Sequence, residues 1–479
     1  MVSLPDGLAV VVKRDCPTCE LITPVLRQLA GGNERLTVLT QDDPSFPPGL
    51  SGVVDDTDLE KSWHLNIETV PTVIRIKGGR ESARAFGWHR GEWETLTGVR
   101  GLGEGLPAER PGCGSKTVDP GMVDELELRF GGVSFASRPV EIGGYEDDVE
   151  ACFERDWSDG LPVVTPTPVR VLRMLRGTTR DPKEVLGMMP PDYPACTVEK
   201  VAINAVMAGC KPEYMPVLLA AVEAALDDRF CLHGVIATTM YIGPIVIVNG
   251  PVRRQLGMNS GVNVLGQGNR ANNTIGRALQ LTIRNIGGGK PGGVDRATLG
   301  NPGKLGFCFP EDEEGMSWDP LSVERGIARG KSAVTVFAGY GVQGIVDQNS
   351  RTPESLAKSF AMVLNAVFHP KTFPGPDVFI VCSPEHHRVF RNAGWSKARL
   401  KEELHKLCVV EADKIIRDVD GCAVGVPDKL AGKTLRKFRP DGLQIVHSGG
   451  TAGLFSGLLV GWGAAAEINS QPVTKEVRG

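Results

Sequence analysis

The chain of 479 residues has no surplus of positive charge: 53 Lys and Arg face 57 Asp and Glu, a net charge of −4. Without a basic excess to neutralise phosphates, a dedicated nucleic-acid binder is not expected. No stretch reaches the roughly 18 uninterrupted apolar residues that a membrane span requires, so no membrane association is expected. The opening Met1–Asp6 lacks a basic region followed by an apolar core, so no signal peptide is expected. The 11 cysteines form no regular framework, and most lie within apolar segments. That usage fits buried thiols in a reducing cytosol rather than a secreted disulfide scaffold, and a cytoplasmic location is expected. Internal repeats, low-complexity tracts and cofactor motifs are absent from the sequence, so no cofactor is expected.

What is abundant is glycine (59) and proline (34), together about a fifth of the chain, which predicts many structured loops. The hydrophobic fraction of 41% and charged fraction of 23% are ordinary for a folded protein. The length predicts two or three domains, and the pattern predicts an α/β fold.

The first hundred residues read as one unit. Gly7–Lys13 is a β-branched run, a buried strand, and Cys16-Pro17-Thr18-Cys19 follows it. Leu21, Ile22, Val25, Leu26 and Leu29 then recur at helical spacing until Gly31-Gly32. Leu36–Leu39 predicts a second strand, Asp42–Gly52 a loop and Asp58–Leu65 a short helix. Val70-Pro71-Thr72 opens a third strand through Ile76, and a fourth ends near Phe86.

A C-x-x-C between a strand and a helix has a specific chemistry. The first cysteine meets the unpaired N–H groups and positive dipole end of the helix, which favour thiolate. The second lies one turn on, close enough to resolve a mixed disulfide. Cys16 is thus the expected nucleophile and Cys19 the resolving thiol. Half a zinc site is the alternative, but no second cysteine pair has ligand spacing, and no metal is expected. The C-x-x-C together with the later Val70-Pro71-Thr72 resembles the thioredoxin family over about residues 5–100. The resemblance implies a thioredoxin-like domain in which Pro71 is a cis-proline packed beside the cysteines, its backbone offered to substrate. The family's Trp-Cys start is Asp15-Cys16 here, and its buried strand carboxylate falls near Val10. Asp15 is expected to oppose thiolate at Cys16 somewhat.

Residues 101–145 have the composition of a Gly/Pro-rich linker and connecting segment. Residues 146–479 read as a large α/β domain, one body or two packed lobes, with a mixed or parallel sheet covered on both faces. Strands are predicted at Val235–Thr239, Ile245–Asn249, Ala333–Ala338, Val378–Cys382 and Leu443–Val446. Helices are predicted at Val198–Ala208, Met215–Leu226, Ala271–Ile286, Pro353–Phe368 and Ser396–Leu407.

Five motifs stand out in this domain: Asp159–Thr167, Ala202–Tyr214, Val248–Pro251, Gly268–Ala278 and Gly449–Gly453. Over about residues 150–479 they resemble the bacterial proteins associated with the selenocysteine-Gly-Ser-Cys (UGSC) selenoprotein family. That family is similar around its motif to substrate-cleaving selenoproteins of glycine-reductase type, which implies reductive chemistry. This chain departs from the motif. Cys113-Gly114-Ser115-Lys116 lacks the second cysteine and falls in the predicted linker, so Cys113 is expected to be no more than an exposed thiol.

Two loops carry the polar groups expected to bind a small anionic substrate. In the first, Asn259, Asn263, Asn269, Arg270 and Asn272 precede a helix with apolar positions Ile275, Leu279 and Ile283; a capped, solvated loop is the alternative. In the second, a strand runs through His447 into Ser448-Gly449-Gly450-Thr451, where glycines free backbone N–H groups to curl round an anion; a tight turn is the alternative. Ser456 can add a hydroxyl. Gly287–Gly293 follows a helix instead of preceding one, and reads as helix exit rather than a phosphate loop. Glu311–Glu314 reads as solvated surface with some capacity for a cation. His386 and His387, adjacent on a helix, point apart and do not form a joint metal site. His233 and His447 each adjoin a strand and a glycine, where catalytic groups of α/β proteins sit, although a structural role is the more common one for such histidines.

Cysteines 196, 210, 231, 308 and 382 read as buried thiols by default. A fused redox domain nevertheless needs a client, and Cys210 and Cys308, each with a lysine close in sequence, are the candidate client thiols. The expected function is a thiol-disulfide oxidoreductase whose C-x-x-C delivers reducing equivalents to the fused domain. That domain is expected to act on a small anionic substrate, with reductive carbon–heteroatom cleavage as the candidate reaction. In the alternative, the large domain is a docking module that brings the thioredoxin unit to a selenoprotein-like partner. Persulfide carriage on Cys16 is a third reading. A thiol reductase or selenoprotein-like redox partner and a homo-oligomer complete the expectations.

Overall fold

The computed structural model describes residues 4–368, 375–415, 428–462 and 470–478. The chain divides into two units, Met1–Phe135 and Ala136–Gly479, both mixed α/β. Among the described residues no helix is long and apolar enough to cross a membrane.

In the first unit, β1 (Gly7–Val12) is buried along its whole length, so it forms the middle of the sheet. After it come α1 (Pro17–Leu21), α2 (Thr23–Ala30), β2 (Leu36–Thr40), β3 (Val54–Asp55), α3 (Glu60–His64), β4 (Thr69–Val70), β5 (Thr72–Lys77) and β6 (Arg80–Phe86). The sheet order is β3-β2-β1-β5-β6. β1 runs parallel to β2, with Val10 opposite Val38, and antiparallel to β5, with Val10 opposite Val73. The predicted single helix after the cysteines is broken at Ile22. Pro24 has no N–H to continue the hydrogen-bond ladder, so the helix restarts at Thr23.

Of the segment 101–145 expected to be a linker, the part up to Phe135 belongs to this unit and the rest to the second. β7 (Trp88–His89) and α4 (Arg90–Thr97) lead into it; β8 (Glu109–Arg110) pairs with β7, and β9 (Cys113–Gly114) pairs with β4. Leu102 is buried in the same core as Trp88 and Trp93. Arg90 donates to the carbonyls of Leu102, Gly103 and Leu106, and Trp88 Nε1 to Pro107 O. Such a glycine- and proline-rich segment satisfies its carbonyls with arginine and indole donors rather than with a regular ladder, so its composition resembles that of a linker. The unit ends with α5 (Met122–Phe130).

The second unit has a seven-stranded mixed sheet. Its strands run in the order Cys308–Pro310, Gly243–Asn249, Ala333–Val346, Phe455–Gly461, Val378–Cys382, Leu443–His447, and Val473–Glu476 also pairs with Ala333–Val346. The sheet curls until its outer strands meet: Asp312 N donates to His447 O at 2.7 Å, and His447 N to Glu311 Oε1 at 3.3 Å. Helices Val198–Ala208, Met215–Leu226 and Arg270–Gly287 lie where periodicity predicts them. Val235–Thr239 does not form the predicted strand; Leu232–Ala237 is a helix. The buried positions Leu232, Val235 and Ile236 have helical spacing, which a short apolar run conceals.

Candidate functional site

β1 ends at Val12 and the backbone turns so that Cys16 becomes the N-cap of α1, in extended conformation with Pro17 in the first turn. Proline is suited to that place, because its missing N–H would be unpaired there anyway. Cys16 Sγ accepts the N–H of Cys19 at 3.4 Å and lies 3.6 Å from Val70 O. The peptide between Val70 and Pro71 is cis, as expected.

A third thiol completes the cluster. Cys113 Sγ is 2.8 Å from Cys16 Sγ, across 97 residues of sequence. The β4–β9 pairing puts Cys113 directly opposite Val70. Gly112 makes this approach possible: a Cβ there would stand 2.5 Å from Thr69 Cγ2 and 2.7 Å from Val70 O. Thr18 Oγ1 donates to Pro111 O at 2.7 Å. Buried Gln41 donates to Ser115 Oγ at 2.7 Å and accepts from Lys116 N at 3.0 Å. Cys113 is therefore part of the site, not an isolated linker thiol. A cysteine ordered by a strand pairing two residues long leaves no periodic signal.

The three thiols differ in ionisation. The hydrogen bond from the Cys19 thiol, with others from the Cys113 thiol and the Cys19 and Thr18 N–H groups, outweighs burial and lowers Cys16 to about 5. Burial, then the hydrogen bond to Cys16, pushes Cys19 far up. Burial and the bond to Cys16 also push Cys113 up, opposed in part by the charge of buried Lys13. Cys16 is thus the thiolate of the cluster and its neighbours are the proton donors. Asp15 is exposed, with its N–H on Asp42 Oδ2.

In the second unit the structure brings the two predicted loops together. Gly449 N and Ser448 Oγ both donate to Ser260 O, and Ser448 Oγ also to Pro310 O. A Cβ on Gly450 would stand 3.2 Å from Val262 Cγ2, while Thr451 is exposed. The amides, however, organise the loops themselves. Asn269 caps helix 270–287 by accepting Asn272 N, and donates to Gly257 O. Asn272 donates to Asn259 O and Val264 O, Asn259 to Val262 O, and Asn263 to Gln267 O. Arg270 Nε donates to Gly209 O at 2.9 Å. Asp159, in the segment Asp159–Thr167, forms a two-pronged ion pair with Arg277, which reaches on to Leu161 O and Pro162 O.

The acidic run departs from the solvated surface expected of it. Glu311 is wholly buried, taking hydrogen bonds from Leu321 N and Asn249 Nδ2, both at 2.7 Å, while Glu313 and Glu314 pair with Arg253. The curl of the sheet carries this loop over strand 443–447, a long-range closure that local charge does not foretell. His447 is buried against His387, ring centroids 4.8 Å apart, and its Nδ1 bonds to Asp312 O. His387 lies by Ser317; His386 is held by Ser456 Oγ and Asp347 O. His233 is exposed and bonded to Tyr193. Cys210 and Cys308 are 6% and 5% exposed. Burial pushes Cys210 up to about 12 and Cys308 higher still, so neither presents a thiolate near neutral pH.

Compared with known proteins, the chain matches no family model, no curated protein and no solved structure.

Proposed function

We propose that the chain is a thiol-disulfide oxidoreductase whose first unit exchanges dithiol for disulfide at Cys16 and Cys19. The observation that carries this reading is the Cys16 sulfur at the start of α1, accepting the N–H of Cys19 and ionised near neutral pH. The neighbouring Val70-Pro71 backbone supports it, because the arrangement resembles the thioredoxin family.

Cys16 thiolate attacks a sulfur of a disulfide, one half leaves as thiolate, and the other stays on Cys16 as a mixed disulfide. That step removes the negative charge which helps hold the proton on Cys19. Cys19 then ionises more readily, attacks Cys16 Sγ, and releases the second half. The Cys16–Cys19 disulfide that remains is reduced by an external dithiol. The second unit presents the molecule to be reduced, a small anionic compound with a sulfur or other heteroatom at the bond to be cleaved.

Cys16→Ser is expected to abolish reduction of insulin disulfides driven by dithiothreitol above the uncatalysed rate. Persistent reduction overturns the reading. A second reading, in which the larger unit is a docking module without a reaction of its own, draws support from the loop at 257–272, whose amides and Arg270 bond to the unit's own backbone. Sulfate or phosphate raises the melting temperature of the full chain under the first reading. Under the second it does not, and a protein partner is retained.

A further inference from the structure

The exposure of the three thiols runs opposite to what a two-cysteine exchange needs. Cys16 is 1% exposed and Cys19 is fully buried, whereas Cys113 is only half-buried. Cys113 covers Cys16. It also holds the backbone position opposite Val70, so residues 113–114 occupy the edge on which a substrate strand would pair. The positions around Cys113 are fixed by Thr18, Gln41 and the Gly112 approach.

We propose that Cys113 is the thiol that meets the external substrate, an organic disulfide, and that Cys16 acts on Cys113, 2.8 Å away, instead of on the substrate itself. This rests on the reading of Cys16 and Cys19 as a redox pair. In the first step Cys113 passes its proton to the Cys16 thiolate and attacks the disulfide R–S–S–R′. The S–S bond breaks, R′–S leaves with the electron pair, and it takes that proton from Cys16. In the second step Cys16 thiolate attacks Cys113 Sγ, a Cys16–Cys113 disulfide forms, and R–S leaves as thiolate. In the third, Cys19 attacks Cys16 Sγ, and Cys113 leaves with the electron pair and takes the proton that Cys19 gives up. The substrate has gained two electrons and the protein holds a Cys16–Cys19 disulfide, which a dithiol donor reduces.

The test uses the full chain, oxidised glutathione as probe, and peptide mapping without reductant. Trypsin yields one peptide spanning 15–27, with Cys16 and Cys19, and one spanning 101–116, with Cys113 as its single cysteine. In Cys19→Ser, the relay predicts that these two peptides are joined by a Cys16–Cys113 disulfide. In Cys16→Ser it predicts glutathione on Cys113. Glutathione on Cys16 in Cys19→Ser, with Cys113 free, overturns the relay but leaves the redox pair standing. Failure of the wild-type chain to form a Cys16–Cys19 disulfide overturns the redox pair itself. As a second measurement, Cys113→Ala is expected to slow exchange with oxidised glutathione by at least about tenfold, and an unchanged or faster rate overturns the relay.

Discussion

Lys397 Nζ stands 3.8 Å from Glu311 Oε1, with both side chains almost wholly withdrawn from solvent. Lys397 also bonds to Glu324 and Asp319 O, and Glu311 ties strand 243–249 to strand 443–447 and to Leu321. Burial pushes the Glu311 carboxyl up, against the pull of Lys397. Lys397→Met leaves the buried Glu311 carboxyl without its lysine and is expected to cost about 3 kcal/mol, whereas Glu311→Gln costs less because Lys397 keeps Glu324. The double variant should cost less than the two singles combined. Urea unfolding of all four chains checks this, and additive losses would show that the pair is not coupled.

Reactivity of Cys16 should follow its lowered ionisation. Thiolate is the form that reacts, so the alkylation rate should rise with pH through about 5 and level off well below the range of an ordinary cysteine. In Cys113→Ala one hydrogen bond to the thiolate is lost, and the midpoint should move up. Iodoacetamide labelling of peptide 15–27 across pH reads both; a midpoint near that of a free thiol in the wild-type chain contradicts the geometry.

Gln41 is buried, and its amide joins Ser62, Ser115 and Lys116. Gln41→Leu takes the acceptor from Lys116 N and one bond each from Ser62 and Ser115, which keep Asp56 and Thr117, an expected loss of about 2 kcal/mol. Because it frees the backbone that carries Cys113, alkylation of Cys113 should also become faster. A stability loss without that change would show that residues 113–116 are held by other contacts.

Arg270 distinguishes an anion site from a structural loop. If its bond to Gly209 O is its role, Arg270→Ala lowers stability by about 1–2 kcal/mol and leaves any stabilisation by sulfate or phosphate as it was. Loss of anion stabilisation, measured by thermal melts in each salt, assigns Arg270 to a binding site instead.

The segments legible in sequence are those whose structure depends on near neighbours. Cys16 caps its own helix because Pro17 and the N–H of Cys19 are within one turn, and helix 198–208 follows from a run of apolar helix formers between the Thr197 cap and Gly209. Helix 270–287 likewise shows its cap in Asn269 and its buried face in Ile275, Leu279 and Ile283. Local backbone preference and periodicity suffice for such elements.

What tertiary structure alone decided is which distant residues share a site. Cys113 reaches Cys16 through a two-residue strand pairing and a glycine with no room for a side chain. Glu311 is buried because a sheet closes on itself. The Asn259–Asn272 loop resembles a ligand cradle in composition, yet its donors are taken by its own carbonyls. Residue type states what a group can bond to. Which partner it finds depends on long-range register, and that is settled only when the whole core packs.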